Sequence, residues 1–317
     1  MRVSMERIPV ISALSRRASA QRTLSRLTRT IRKITIPFEL RAYRLFAPHE
    51  ISIASFYTPA PVSARRIPNT VYQTWRTPTL PFLHAKEVEK FRRRNPDFSF
   101  RFFSDNEMDD YMRTSFGGHP ILEVFRKTNI PAAKADIWRY CILFCEGGVY
   151  CDIDSGLSIP IRELLTDDPS EVISFEENAW RGVLDVGVYA DPTLYMKAPP
   201  DEVAQRLDFP GRVVLNWFLC FEKASPILEE VINLIVSHFD FYKGKKFESM
   251  WKAVIHCTGP LALTQALWMW MQRTGKRPTQ CGIDFAGAGE FKLPGSGIVN
   301  DTFTHYSRIT NSTLFSE

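Results

Sequence analysis

No run of about 20 apolar residues occurs in this 317-residue chain, which excludes a membrane-spanning helix on length. No two of its six cysteines stand in a C-x-x-C pair. Cys141, Cys145, Cys151, Cys220, Cys257 and Cys281 lack the second ligand pair that a zinc site wants, so buried free thiols are the better reading. Such thiols favour a reducing compartment. Histidine is scarce, with six in all, and the dense His/Asp set of a metal-dependent phosphohydrolase is not found. There is no internal repeat and no long low-complexity tract. A secretory signal is not expected either, because Arg16, Arg17 and Arg22 interrupt any apolar segment near the start.

Acids are missing from one end. Residues 1–66 carry thirteen Lys/Arg against three Glu, while the remainder carries 27 bases against 32 acids. The formal charge of +5 is therefore a basic arm on a mildly acidic body, which is not the pattern of a uniformly basic nucleic-acid binder. Residues 1–65 read as that arm, partly helical or flexible, and residues 66–317 as one domain. The arm has three readings. It is a loosely docked extension, a segment lying on an anionic membrane surface, or an organellar presequence. A cytoplasmic protein, peripheral at the membrane surface if the second reading holds, is the expectation.

The richest stretch is Ala132 to Asp154, A-A-K-A-D-I-W-R-Y-C-I-L-F-C-E-G-G-V-Y-C-D-I-D. It predicts a helix over 131–145, a glycine stop at Gly147-Gly148, and a strand over 148–153. Asp136 and Arg139, at i and i+3, share a helical face. Alternation along a strand puts Tyr150, Asp152 and Asp154 on one side and Val149, Cys151 and Ile153 on the other. Two carboxylates at the end of an apolar strand are costly unless a positive partner meets them, and a divalent metal carrying a diphosphate is the natural candidate. The bland alternative is an ordinary surface pair at Asp136–Arg139 beside an incidental Asp-x-Asp.

Further strands are predicted at 69–75, 98–104, 171–176 and 184–190. Helices are predicted at 82–94, 105–113, 119–127, 225–240 and 259–273. Alternating strands and helices argue for an α/β fold with a largely parallel sheet and helices on both faces. Ligands in such sheets sit beyond the carboxyl ends of the strands, which places Trp75, Asp105 and the Asp152/Asp154 pair on one rim.

The pattern A-x-A-D-x-x-R-Y-x-x-L-x-x-x-G-G-x-Y-x-D-x-D resembles the core signature of glycosyltransferases with a DXD motif, in the Och1-like family (glycosyltransferase family 32); the glucosylating bacterial toxins are more distant relatives. The resemblance extends to Ile67–Trp75, to Asn95-Pro96-Asp97 with Phe98 to Asp105, to Asn216-Trp217-Phe218 leading into Ser225-Pro226, and to Thr258-Gly259-Pro260. It spans about residues 66–265. It implies a single catalytic domain of the GT-A nucleotide-sugar-binding type, with a mixed, mostly parallel sheet flanked by helices. It also implies retaining transfer from a UDP- or GDP-sugar, with Mn²⁺ or Mg²⁺, to a glycan or glycolipid acceptor, as in surface polysaccharide or capsule synthesis. A toxin-like protein-modifying transferase and a non-catalytic nucleotide-sugar-binding module are the alternatives.

The residues take roles under that resemblance. Asp154 binds the metal directly, and Asp152 reaches the ribose or donor sugar, or the metal through water. Asp136 and Arg139 hold donor-sugar hydroxyls, with Arg139 also a phosphate partner. Trp75 either stacks on the base or fills the core, and Asp105 lies at the same cofactor-binding rim. Asn216 either bonds donor or acceptor, or caps a turn. Thr258 and Gly259 either bring backbone to the diphosphate or start a helix, with Thr258 as its cap. His305 is the candidate third metal ligand, with Asn300, Asp301 and Ser307 as rivals; Glu176, Glu177 and Asp185 are candidates near the acceptor.

Overall fold

The computed structural model describes residues 50–52, 64–177, 196, 198–291 and 306–317. Its centre is a six-stranded sheet. The strands are β1 (Thr70–Thr74), β2 (Ser99–Phe103), β3 (Gly148–Cys151), β4 (Glu171–Phe175), β5 (Phe218–Phe221) and β6 (Gln280–Ile283), in the spatial order β6-β4-β5-β3-β1-β2. β2, β1 and β3 pair in parallel, as do β4 and β6. β5 alone is reversed, antiparallel to β3 on one side and β4 on the other. This is the mixed, mostly parallel α/β sheet that the family resemblance implies; strand–helix alternation alone implies a largely parallel one.

Among the described residues, seven helices of seven or more residues flank it: α1 (Phe82–Arg94), α2 (Asp105–Ser115), α3 (Ile121–Lys127), α4 (Pro131–Glu146), α5 (Pro226–Tyr242), α6 (Met250–Cys257) and α7 (Pro260–Thr274). α4, α5 and α7 open with proline at a first-turn position, where a missing N–H costs nothing. α2 opens on a capping box between Ser104 and Glu107. One sheet face carries Tyr150, Leu219, Ile173 and Phe175 into a large core with α4, α5 and α7. The other carries Val149, Cys220 and Val172 into a second core with Phe91, Trp217 and Phe285.

The turn from α4 into β3 sets where the strand begins and how it enters the sheet. Gly147 has φ 66 and Gly148 φ 110. A Cβ on Gly147 would stand 2.6 Å from the backbone nitrogen of Lys223, and one on Gly148 2.7 Å from the carbonyl of Thr70. Both positions therefore require glycine, for backbone shape and for space.

Two expectations change. β3 ends at Cys151, and Asp152–Asp154 lie in a turn that closes when Ser155 N–H donates to the Asp152 carbonyl at 3.0 Å. Simple alternation thus does not carry through to Asp154. β5, β6 and α6 are additional to the expected elements. The strand expected at 184–190 lies outside the described residues, as does most of the basic arm.

Among the described residues, no helix is long and apolar enough to cross a membrane. All six cysteines are free, and five are buried.

Candidate active site

The site is built around α4. Asp136 and Arg139 are each only 6% exposed, so they are not a surface pair. Arg139 Nη2 lies 3.3 Å from Asp136 Oδ1 and 3.3 Å from Asp152 Oδ1, bridging the helix to the turn after β3. Its Nη1 donates to the Asn216 carbonyl at 2.7 Å and its Nε to the Ala135 carbonyl at 3.2 Å. The guanidinium also sits over Tyr150, 4.3 Å from the ring centroid. Burial opposes the charge, but Asp152, Tyr150 and Asp136 more than offset this and hold Arg139 protonated.

Asp136 is satisfied from several sides. Asn216 Nδ2 donates to its Oδ1 at 3.0 Å and Thr258 Oγ1 to its Oδ2 at 3.2 Å. Gly259 leaves room beside it, since a Cβ there would lie 3.4 Å from Asp136 Oδ2 and 3.0 Å from the Val254 carbonyl. Burial pushes the Asp136 carboxyl up to about 6, against the opposing pull of Arg139. Tyr140 closes the far side, its hydroxyl donating to Asn216 Oδ1 at 3.0 Å and approaching the Gly259 carbonyl at 3.3 Å.

Asp152 accepts from Tyr150 Oη at 2.5 Å, and its backbone N–H donates to the Trp217 carbonyl at 2.9 Å. Asp154 accepts from Ser155 Oγ at 3.2 Å. Burial raises both carboxyls above the usual range, and the Asp154 charge raises Asp152 further. Ionised carboxylates held in this state are stabilised by a nearby cation, and two hard oxygen donors fit Mg²⁺ or Mn²⁺ chemistry. Among the described residues, no group of three or more His, Cys, Asp or Glu is gathered for a metal. His305, Asn300 and Asp301 lie outside the described residues.

Asp136, Arg139, Asp152, Asn216, Thr258 and Gly259 therefore converge from four separate segments, with Asp154 beside them. The reading of Asn216 as a cap or turn residue does not hold, because its side chain is committed to Asp136 and Tyr140. Thr258 is not a helix N-cap. It ends α6, Gly259 caps α7, and the threonine hydroxyl serves Asp136. Trp75 is half-buried beyond the end of β1 and packs with Leu80, Ala85, Val88 and Ile153, the central residue of Asp-Ile-Asp. His84 lies 5.3 Å from its ring and Arg76 5.4 Å. Asp105 is exposed at the start of α2; partial desolvation of its carboxyl, then Asp109, raise it against Lys134 and Arg76, and among the described residues no hydrogen bond or ion pair links it to the network.

Three residues take no part in the expected roles. Tyr140 and Tyr150 are signalled only by their places in the motif, next to Arg139 and two before Asp152. Tyr306 comes from the C-terminal segment with no local signal. Burial, followed by the Asp136 and Asp152 carboxylates, pushes its hydroxyl up, so its ionisation is coupled to the same carboxylates.

Residues 81–171 match the family described as "Glycosyltransferase sugar-binding region containing DXD motif". The chain is similar to the initiation-specific alpha-1,6-mannosyltransferase of Candida albicans, at 27% identity over 226 residues, covering 68% of this chain and 56% of that protein. It is similar to the inositol phosphoceramide mannosyltransferase 1 of Schizosaccharomyces pombe, at 30% identity over 137 residues, 42% of this chain and 40% of that one. The chain spans about half the length of the curated relatives it matches. A solved structure titled "PaToxG Glycosyltransferase" aligns with a TM-score of 0.44 at 17% identity, covering 76% of this chain and 79% of that one.

The chain is thus an α/β domain whose residues 81–171 match a DXD-containing sugar-binding region of glycosyltransferases. By sequence it is related to the mannosyltransferases above.

Proposed function

We propose that this chain is a metal-dependent, retaining glycosyltransferase that moves a hexose from a UDP- or GDP-sugar to a glycan or glycolipid acceptor. The observation that carries this reading is the Arg139 bridge, 3.3 Å to each of Asp136 and Asp152 in a buried site. It sets a fixed guanidinium and two hydrogen-bond acceptors around the place where a sugar diphosphate meets the DXD turn. The names of the relatives favour mannose as the sugar and make GDP-mannose the first donor to try.

Asp154 and Asp152 would hold Mn²⁺ or Mg²⁺, which neutralises charge on the departing diphosphate. Arg139 and Asp136 hold the donor sugar, Asn216 orients Asp136, and Thr258 and Gly259 keep its second oxygen in place. Trp75 and Asp105 form the nucleotide end of the rim, and His305 is a candidate third metal ligand. Residues 1–65 are proposed as a peripheral membrane contact on a cytoplasmic protein. Deletion of residues 1–60 is expected to weaken binding to anionic vesicles without lowering donor turnover.

The test is a screen of UDP- and GDP-sugars with Mn²⁺, with and without EDTA, reading released nucleotide. Release from one donor, abolished by EDTA, supports the transferase. Metal-dependent nucleotide binding with no turnover on any glycan acceptor favours a non-catalytic binding module. Transfer only to a protein acceptor favours the toxin-like alternative.

A further inference from the structure

The rim that carries the DXD turn continues past it, over the ends of β4 and β6. Gly148 and Glu171 both pair with Phe221, and Val149 and Val172 both pair with Cys220. Beyond these pairs the register on β4 shifts: Phe175 bridges to Val214, where the same offset would give Trp217. Glu176 N–H donates to the Val213 carbonyl and Asp152 N–H to the Trp217 carbonyl, so residues 213–217 run from Glu176 to the DXD turn. Asn216 lies between, on the chain entering β5. Glu176 thus extends the row on the side away from Trp75 and Asp105.

Its backbone is held on both sides. Glu176 N–H donates to the Val213 carbonyl at 2.9 Å, Arg212 Nη1 donates to the Glu176 carbonyl at 2.9 Å, and Phe175 bridges to Val214. The carboxylate is different. Asp136, Asp152 and Asp154 each accept a hydrogen bond from a neighbouring side chain, whereas among the described residues none reaches the Glu176 carboxylate. Burial, then Asp284 and Asp152, push it up to about 7.

Asp284 is the next acid along the rim. It opens three successive non-glycine residues of positive φ, Asp284, Phe285 and Ala286 at 49°, 51° and 55°. Ser174 Oγ accepts from Phe285 N–H at 2.7 Å, and the Phe285 ring is buried against Trp217 and Phe218, so this left-handed turn is fixed to β4. The Asp284 carboxylate occupies the space that a Cβ on Gly289 would need, 2.0 Å away.

Building on the transferase reading, we infer that Glu176 is the acceptor-binding residue, taking a hydrogen bond from a neutral hydroxyl of the incoming glycan at the β4 end of the rim. The acids around it, Asp152 and Asp284, disfavour a phosphate or carboxylate there. The acceptor class is therefore an uncharged polyol or sugar at the reacting end, whatever charge lies further away.

The experiment uses the full chain with Mn²⁺ and GDP-mannose, comparing methyl α-D-mannopyranoside with D-mannose 6-phosphate as acceptors. Wild type is expected to favour the neutral sugar by at least about tenfold in kcat/KM. Glu176→Gln is expected to raise the KM for methyl α-D-mannopyranoside about tenfold at a pH above 7, where the carboxylate is the hydrogen-bond acceptor lost. Glu176→Lys is expected to shift preference towards the phosphate. The Kd for GDP is the control, and it stays within about twofold in Glu176→Gln, which also shows that the variant is folded. Unchanged acceptor KM and preference in both variants would overturn the inference. A GDP Kd that rises with the acceptor KM would also overturn it, by moving Glu176 to the donor side. Wild type that neither binds GDP nor UDP nor turns over any donor defeats the transferase reading itself, and this inference with it.

Discussion

The side-chain amide of Asn216 donates to Asp136 at 3.0 Å, across 80 residues of sequence. The contact ties the turn entering β5 to the middle of α4. It fixes which way the Asp136 carboxylate faces, because Thr258 takes the other oxygen. Replacing Asn216 by Asp would set two carboxylates together in a buried site. That variant is expected to lower kcat/KM by at least about a hundredfold and to cost roughly 1–3 kcal/mol in stability. Nucleotide-release kinetics and urea unfolding check the two effects separately.

Arg139→Lys is not a conservative change here. Arg139 contacts Asp136, Asp152 and two carbonyls at once through a planar fork, and it stacks on Tyr150. An ammonium serves only part of that geometry. Transfer is expected to fall by about a hundredfold or more while the fold persists. Arg139→Ala is expected to cost roughly 3–5 kcal/mol, because two carboxylates lose their buried partner. Circular dichroism alongside initial rates distinguishes the variants.

Tyr150→Phe removes the 2.5 Å hydrogen bond to Asp152 and leaves the ring under Arg139. Such outer contacts orient metal-binding carboxylates, and their loss costs about 10- to 100-fold in affinity. Mn²⁺ titration followed by electron paramagnetic resonance reads this directly. Unaltered Mn²⁺ affinity would separate Asp152 from the metal.

Part of this cluster is legible in the sequence because Asp136 and Arg139 sit on a regular element with strong local signals. Pro131 and Gly147 bracket α4, and i, i+3 spacing put Asp136 and Arg139 on one face. α1, with no glycine or proline inside it, has the expected ends. β5 went unread because Phe-Leu-Cys-Phe is buried on both faces and has no alternation. α6 has eight residues, too few for periodicity to declare itself, and β6 is four residues containing a glycine. The Asp-Ile-Asp reading placed both acids by strand alternation, yet the strand stops at Cys151. Side-chain pairing across distant segments, such as Asn216 or Thr258 with Asp136, has no local pattern to betray it.

The raised Asp136 carboxyl gives a pH dependence of defined sign. Its folded value of about 6 lies above the ordinary 3.8, so the folded state binds the proton more tightly than the unfolded chain. The stability it contributes is present below about pH 4 and is lost as pH rises through about 6, by roughly 3 kcal/mol at most. Melting midpoints of metal-free protein, wild type against Asp136→Asn between pH 4 and 7, are expected to fall more steeply in wild type than in the variant, which keeps the smaller slope of the other raised carboxyls.

The central claim is that Asp152 and Asp154 meet a metal-bound nucleoside diphosphate. Isothermal titration of UDP and GDP into wild type and Asp154→Asn, with Mn²⁺ and with EDTA, tests it most directly. One nucleotide is expected to bind wild type with Mn²⁺ and to lose at least about tenfold in affinity on either EDTA or the substitution. Equal nucleotide affinity with and without the metal, or in wild type and Asp154→Asn alike, would contradict it.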